Sequence, residues 1–89
     1  MQAAGLLEHA SPLDAGRGYA LVAEVYEQLG NREQALELYE LAAERLQAHP
    51  GRYLVDVYSK LARLLEENGQ KDEALEVLKR AVAARGATA

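Results

Sequence analysis

The 89-residue sequence has no cysteine, phenylalanine or tryptophan, and only two prolines, Pro12 and Pro50. Without cysteine the chain can form neither a disulfide nor a thiolate metal site, so cysteine usage says nothing about its redox compartment. Alanine and leucine are abundant instead, and both lose little conformational freedom on entering a helix. The composition therefore predicts an all-α fold, and the length suits one domain over residues 1–89.

Positive charge and long apolar runs are also scarce. The net charge is −4, whereas a nucleic-acid-binding module needs a basic face that displaces phosphate counterions. No apolar run approaches the ~20 residues that span a bilayer. A signal peptide requires basic residues before its apolar segment, and none precedes the short apolar patch near the start of this sequence. We therefore expect a cytoplasmic protein with no direct nucleic-acid partner and no membrane partner. The excess of arginine over lysine points weakly to a bacterial source.

An internal repeat organises the chain. A shift of 39 residues aligns 19–46 with 58–85, and eight of the 28 aligned pairs are identical, among them Gly30 with Gly69 and Ala35 with Ala74. Each copy predicts a helix, a turn at its glycine and a second helix. We expect a leading helix over 3–10, repeat one over 16–50 and repeat two over 55–86.

Side-chain size predicts how each hairpin packs. In the first helix of repeat one, apolar residues recur at helical spacing: Leu21, Val22, Val25, Tyr26 and Leu29. Small residues near each turn, Ala23 with Ala35 and Ala62 with Ala74, should allow the two helices to approach closely. Tyr26 with Tyr39, and Leu65 with Leu78, should fill the space farther from the turn, whereas Tyr53 should be exposed.

The repeated pattern resembles the tetratricopeptide repeat. The first copy reads Tyr19-x2-Val22-Ala23-x2-Tyr26, Ala35-x3-Tyr39, Ala42, and the second reads Tyr58-x2-Leu61-Ala62-x2-Leu65, Ala74-x3-Leu78, Ala81. Tyrosine replaces the family's tryptophan, alanine replaces its glycine, and the spacing is 39 residues where the family pattern has 34, as in longer-period relatives. The resemblance implies a right-handed stack of antiparallel helical hairpins. It also implies a protein–protein interaction or scaffolding module that binds a peptide or protein partner.

The resemblance further implies that the first helix of each repeat lines a concave surface. The residues expected on it are Arg17, Ala20, Glu24, Glu27 and Gln28 from repeat one, and Asp56, Ser59, Arg63, Glu66 and Glu67 from repeat two. Family members that clamp a C-terminal carboxylate use asparagine and lysine where this chain has Glu24 and Ala20, so that clamp is not supported. A plainer interpretation, in which these charges only solvate an exposed face, stays open.

No residue pattern points to catalysis, a metal or a cofactor. Glu33, Glu37, Glu40 and Glu44 follow one side of a helix, but a dimetal carboxylate site would need histidines on facing helices. His9 and His49 lie far apart in the sequence, and Ser11 and Ser59 have no neighbouring base. We therefore expect a protein that is not an enzyme and has no cofactor.

The ends of the chain suggest an alternative. Leu6 and Leu7 resemble the end of a preceding hairpin, and no capping helix follows Gly86. The last helix carries apolar residues on two flanks, more than one partner helix can cover: Leu75, Leu78 and Val82 on one, Val77, Ala81 and Ala84 on the other. The alternative function is a regulatory or oligomerisation segment of a larger bacterial protein, such as a peptide-sensing transcription regulator. We expect contact with the rest of a longer chain or self-association, with a symmetric dimer as the simplest form.

Overall fold

The computed structural model describes residues 11–87, which form four α-helices. They are α1 (Pro12–Gln28), α2 (Arg32–Leu46), α3 (Arg52–Glu67) and α4 (Lys71–Ala87). The first two helices pack together as one hairpin and the last two as another, and α2 packs against α3 to join them. The predicted all-α stack of helical hairpins is therefore confirmed. The leading helix expected over 3–10 lies outside the described residues.

The start of α1 is set by the pair Ser11-Pro12. Proline is tolerated in the first helical turn, where its missing N–H would have no helical partner, and the Ser11 hydroxyl accepts a hydrogen bond from the Asp14 backbone N–H at 3.2 Å. The helix consequently begins at Pro12, earlier than residue 16, at which the repeat pattern begins.

The turn inside each hairpin has the same geometry. Gly30 and Gly69 both adopt positive φ, at 80° and 81°. In the first turn the backbone N–H groups of Gly30 and Asn31 donate to the carbonyls of Glu27 and Tyr26, at 3.1 and 2.9 Å. The second turn repeats this pattern, so the last carbonyls of α1 and α3 are satisfied in the same way. The prediction that the aligned glycines end these helices is confirmed.

Substituting Gly69 tests the importance of this geometry. Gly69→Val should lower the free energy of unfolding by about 1 kcal/mol or more, because a β-branched residue is strained in the left-handed region. A side chain at Gly69 would meet no atom within 4 Å, so the change isolates backbone strain. Gly86→Val is the control, since Gly86 is helical and equally free of neighbours. A thermal melt of Gly69→Val that matches the control would contradict the prediction.

The core follows the predicted close approach of the hairpin helices. Ala23 and Ala35 are fully buried, and Ala62 and Ala74 are nearly so. The largest fully buried side chains are Tyr39, Leu46 and Leu64. No buried polar or charged residue occurs within 11–87, so these helices pack through apolar contacts.

Two of the sequence predictions about the core are wrong. Leu21, Val25 and Leu29 are exposed, because α1 turns another face inward, formed by Ala15, Gly16, Tyr19 and Ala23. Leu78, expected to pack with buried Leu65, is 44% exposed. The residues that α4 buries are instead Ala74, Val77, Ala81 and Ala84.

A second stability prediction concerns the crossing of α1 and α2. Ala35→Leu should cost about 1–3 kcal/mol, because a larger side chain at a fully buried position forces the helices apart. Glu37→Gln on the same helix is exposed and should be close to neutral. Chemical denaturation of the two variants gives the comparison, and equal midpoints would mean that Ala35 does not lie at a tight crossing.

Candidate functional site

A groove of about 240 Å³ lies between α1 and α3. Its walls come from two sets of residues with the same helical spacing: Arg17, Ala20, Leu21 and Glu24 on α1, and Tyr53, Asp56, Val57 and Lys60 on α3. Residues three, four and seven positions apart share one face of a helix, so each helix presents one continuous strip. The buried side chain of Leu46 forms part of the floor. We call this cavity the concave groove.

Charges of both signs meet in the concave groove. Lys60 Nζ lies 3.6 Å from Glu24 Oε1, which bridges α3 to α1. The Arg17 guanidinium sits over the Tyr53 ring, 4.6 Å from its centroid. Both pairs are partly exposed, so each contributes little to stability.

Beyond one end of the concave groove, carboxylates and guanidinium groups form a network. Arg63 forms an ion pair with Glu27 and lies 3.7 Å from Glu67 through Nε. Arg32 approaches Glu67 at 3.9 Å. The Tyr39 hydroxyl donates to Glu27 Oε1 at 3.0 Å, so this surface network is connected to the core.

Tyr39 is held in its protonated form. Burial, followed by the hydrogen bond to the Glu27 carboxylate, raises the pKa of the Tyr39 hydroxyl well above its ordinary value. The hydroxyl therefore remains a donor to Glu27 at every pH near neutrality. This hydrogen bond has a structural role, because it orients the Glu27 carboxylate that forms the ion pair with Arg63.

The predicted concave residues separate into three groups. Arg17, Ala20, Glu24 and Asp56 line the concave groove. Three others form the ion-pair network: Glu27, Arg63 and Glu67. The remaining three are exposed and line neither the groove nor the network: Gln28, Ser59 and Glu66.

Sequence reasoning missed five residues that line the concave groove, one of them the buried Leu46 of its floor. Leu21 was assigned to the core stripe, and Val57 and Lys60 were not considered. Tyr53 was correctly predicted to be exposed but was given no role. The sequence did contain a signal for a role of Tyr53 in binding, because Tyr53 lies off the helix face that is expected to be buried. An exposed aromatic residue often marks a contact surface.

A second groove, of about 350 Å³, lies between α2 and α4. It shares no lining residue with the concave groove. Its carboxylates are Glu40 and Glu44 on α2 and Glu73 and Glu76 on α4. Within residues 11–87 no three acidic or histidine side chains converge as metal ligands would. We call this cavity the acidic groove.

The environment of Glu40 in the acidic groove opposes its negative charge. Burial raises the pKa of Glu40, and the charges of Glu73 and Glu37 raise it further. The folded chain therefore binds this proton more tightly than the unfolded chain does. The resulting contribution to the free energy of unfolding is fully present below the ordinary glutamate pKa, and it is lost as the pH rises through the folded-state pKa. At neutral pH the charged Glu40 opposes folding.

The substitution Glu40→Gln should therefore raise the melting temperature at pH 7. The difference from the parent chain should shrink as pH falls and vanish below about pH 4, where the glutamate is protonated in both folded and unfolded chains. Thermal melts of the parent and the variant at pH 7 and at pH 3 test this, because the difference in melting temperature between the two chains is compared at the two pH values. A Glu40→Gln variant that is less stable than the parent at pH 7 would contradict it.

Within the described part of the chain, no helix is both long and apolar enough to cross a membrane. This finding agrees with the scarcity of apolar runs in the sequence.

Comparison with known proteins identifies the family to which this architecture belongs. A family model for the tetratricopeptide repeat matches residues 14–87, which takes in all but the first two residues of the four helices. Searches of curated proteins and of solved structures gave no significant match. Repeats of this family generally mediate protein–protein interaction. The chain belongs to the tetratricopeptide repeat family.

Proposed function

We propose that the chain is a protein–protein interaction or scaffolding module that holds a peptide segment of its partner in the concave groove. The observation that carries the proposal is the pair of exposed apolar side chains in that groove. Leu21 is 64% exposed and Tyr53 is 44% exposed, on opposite walls. Aromatic and aliphatic anchors surrounded by polar groups are typical of contact surfaces.

The charges of the concave groove indicate the chemistry of the peptide. Glu24 and Lys60 largely neutralise each other across the groove, while Arg17 and Asp56 offer one charge of each sign. A peptide of mixed polarity with an apolar side chain fits this arrangement better than a single C-terminal carboxylate. Arg17 can turn from the Tyr53 ring to an incoming carboxylate because the contact is exposed.

A peptide-display selection against the whole chain tests this function. Selected peptides should bind the parent protein, and Tyr53→Ser should weaken them by about tenfold or more, which corresponds to ~1.4 kcal/mol of lost contact. Leu75→Ser removes a similarly exposed leucine from α4, outside the groove, and should leave their affinity unchanged. Peptides that bind both variants equally well would show that the concave groove is not the site.

We also propose that this module binds its partner in the cytoplasm without catalysing a reaction. The Ser59 hydroxyl donates to the Val55 carbonyl at 3.0 Å, an intrahelical contact that does not activate a nucleophile. Two groups in the described part of the chain have displaced pKa values, and they lie in separate places, Tyr39 in the core and Glu40 in the acidic groove. This separation supports binding over acid–base chemistry, which needs such groups side by side.

A second candidate function is that of an oligomerisation or regulatory segment of a larger bacterial protein. Exposed apolar stripes favour it: Leu21, Val25 and Leu29 on α1, and Leu75, Leu78 and Val82 on α4. Apolar residues clustered on an exposed helix face mark contact surfaces. Light scattering coupled to size exclusion should then show self-association of the 89-residue chain, lost in Val82→Glu and retained in Lys79→Glu. A monomer at high micromolar concentration would count against self-association.

A further inference from the structure

The acidic groove has an apolar floor. Ala43 of α2, Leu61 and Leu65 of α3 and Val77 of α4 line it, and all four are buried by their helices. Tyr58 lies at one end, where its hydroxyl accepts a hydrogen bond from Gln47 Nε2 at 3.3 Å. A ligand that enters between α2 and α4 would therefore meet apolar side chains beneath the charged rim.

The rim of this groove is negative on both sides. Its glutamates come in pairs about one helical turn apart on facing walls, and among residues 11–87 Arg80 is the single basic residue that lines the groove. Two of these glutamates form exposed ion pairs with neighbouring basic residues: Glu44 with Arg45 at 3.4 Å, and Glu76 with Lys79 at 3.5 Å. Such pairs are weak and exchange readily.

Glu40 and Glu73 are the least compensated members of the rim. Within the described residues neither forms an ion pair with lysine or arginine, although Glu73 accepts a hydrogen bond from Gln70 at 3.1 Å. Their charges repel each other across the groove. A cation placed between them would relieve that repulsion and gain from the partly desolvated surroundings.

The distribution of these carboxylates excludes a compact cation as the best fit. No three of them converge on one point within residues 11–87, so a metal ion would find too few ligands. The negative charge instead extends along two walls above an apolar floor. That arrangement complements an elongated ligand with several positive charges and apolar side chains between them.

We propose that the acidic groove is a second docking site, which takes a cationic, amphipathic peptide segment of a partner protein. A lysine or arginine of that segment lies between Glu40 and Glu73, and an apolar side chain contacts Leu61, Leu65 and Val77. Because this site shares no residue with the concave groove, the module can hold two segments at once. Association at the acidic groove is steered by charge and weakens with added salt.

The test uses a fluorescein-labelled synthetic peptide of leucine and lysine and a counterpart with glutamate in place of lysine. Anisotropy titration of the whole chain should show binding of the lysine peptide only. The double variant Glu40→Gln with Glu73→Gln should weaken it about tenfold or more, as expected when charges that contact the ligand are removed. The control is Glu33→Gln with Glu66→Gln, which removes the same two charges from exposed positions outside the groove and should change affinity by less than about threefold.

Several outcomes would overturn this inference. Equal loss of affinity in the two double variants would mean that the lysine peptide is attracted only by net charge. Failure of the parent chain to bind the peptide would exclude the site. Loss of binding in Tyr53→Ser but not in Glu40→Gln with Glu73→Gln would place the peptide in the concave groove, whose own function is tested separately. Amide shifts on adding peptide should fall on α2 and α4, and thermal melts verify that each variant is folded.

Discussion

Replacing Tyr39 with alanine is expected to lower the free energy of unfolding by about 3–5 kcal/mol, the range seen when a large buried aromatic is truncated. Tyr39 is fully buried, so the cavity left behind has few ways to collapse. The total stability of a small domain is only about 5–15 kcal/mol. Chemical denaturation should therefore show a midpoint shifted to much lower denaturant, with little cooperative transition left near body temperature.

Tyr39→Phe separates packing from the hydrogen bond. The ring remains, and only the donor to Glu27 is lost, so the expected cost is about 0.5–1.5 kcal/mol. Glu27 keeps its ion pair with Arg63, which limits the penalty for the unpaired carboxylate. A Tyr39→Ala variant no less stable than Tyr39→Phe would mean that the ring does not fill the core as described.

Leu46→Ala should have the second-largest effect, about 2–5 kcal/mol, because Leu46 is fully buried at the crossing of α1 and α2. It also lies against Gly16, where an added Cβ would clash with Leu46 Cγ and come within 3.2 Å of the Ala42 carbonyl oxygen. Gly16→Ala alone should consequently destabilise, although alanine favours helix over glycine by about 1 kcal/mol.

A double-mutant cycle joins these two positions. In the Leu46→Ala background the clash is largely removed, so Gly16→Ala should become neutral or stabilising. The coupling free energy, taken from denaturation of the four chains, should fall in the 0.5–3 kcal/mol range typical of contacting residues, about the size of the clash. Strictly additive effects would show that Gly16 and Leu46 do not limit each other, and Gly86→Ala supplies a helical glycine without neighbours for comparison.

The turns could be predicted from sequence because their causes are local. Gly30 and Gly69 each end an apolar helical pattern, and a positive φ is the low-cost way for a chain to leave a helix there. Asn31 caps the following helix, accepting from the Gln34 N–H at 3.5 Å. Each of these contacts joins residues within a few positions of one another, so a short stretch of sequence is enough to predict the turn.

The buried face of α1 could not be predicted in the same way. Helical spacing shows that Leu21, Val25 and Leu29 share a face, and the same spacing places Ala15, Tyr19 and Ala23 on another. Which face is covered depends on where α2 packs, and that packing is set by the close approach at Gly16. The residues around Gly16 do not reveal that contact, because Leu46 lies 30 positions away in the sequence.

Only part of the lining of the concave groove was among the residues expected on a concave surface. On α1, Arg17, Ala20 and Glu24 follow one face of the helix and line the groove, whereas Glu27 and Gln28 do not. On α3, Asp56 lines the groove, whereas the expected residues Ser59 and Arg63 do not and Tyr53 and Lys60 do. Which part of α3 faces α1 depends on how the two hairpins lie against each other, and a repeat alignment does not contain that information.

The two sides of the stack are held by different forces. Apolar packing joins α2 to α3, whereas on the concave side Lys60–Glu24 and Arg63–Glu27 are ion pairs that cross from one hairpin to the other. Salt screens the ion pairs and does not screen apolar packing, because the Debye length falls from about 10 Å at 0.1 M salt to about 3 Å at 1 M. The angle between the hairpins, and with it the curvature of the stack and the width of its groove, should therefore relax in concentrated salt while the helices themselves stay intact.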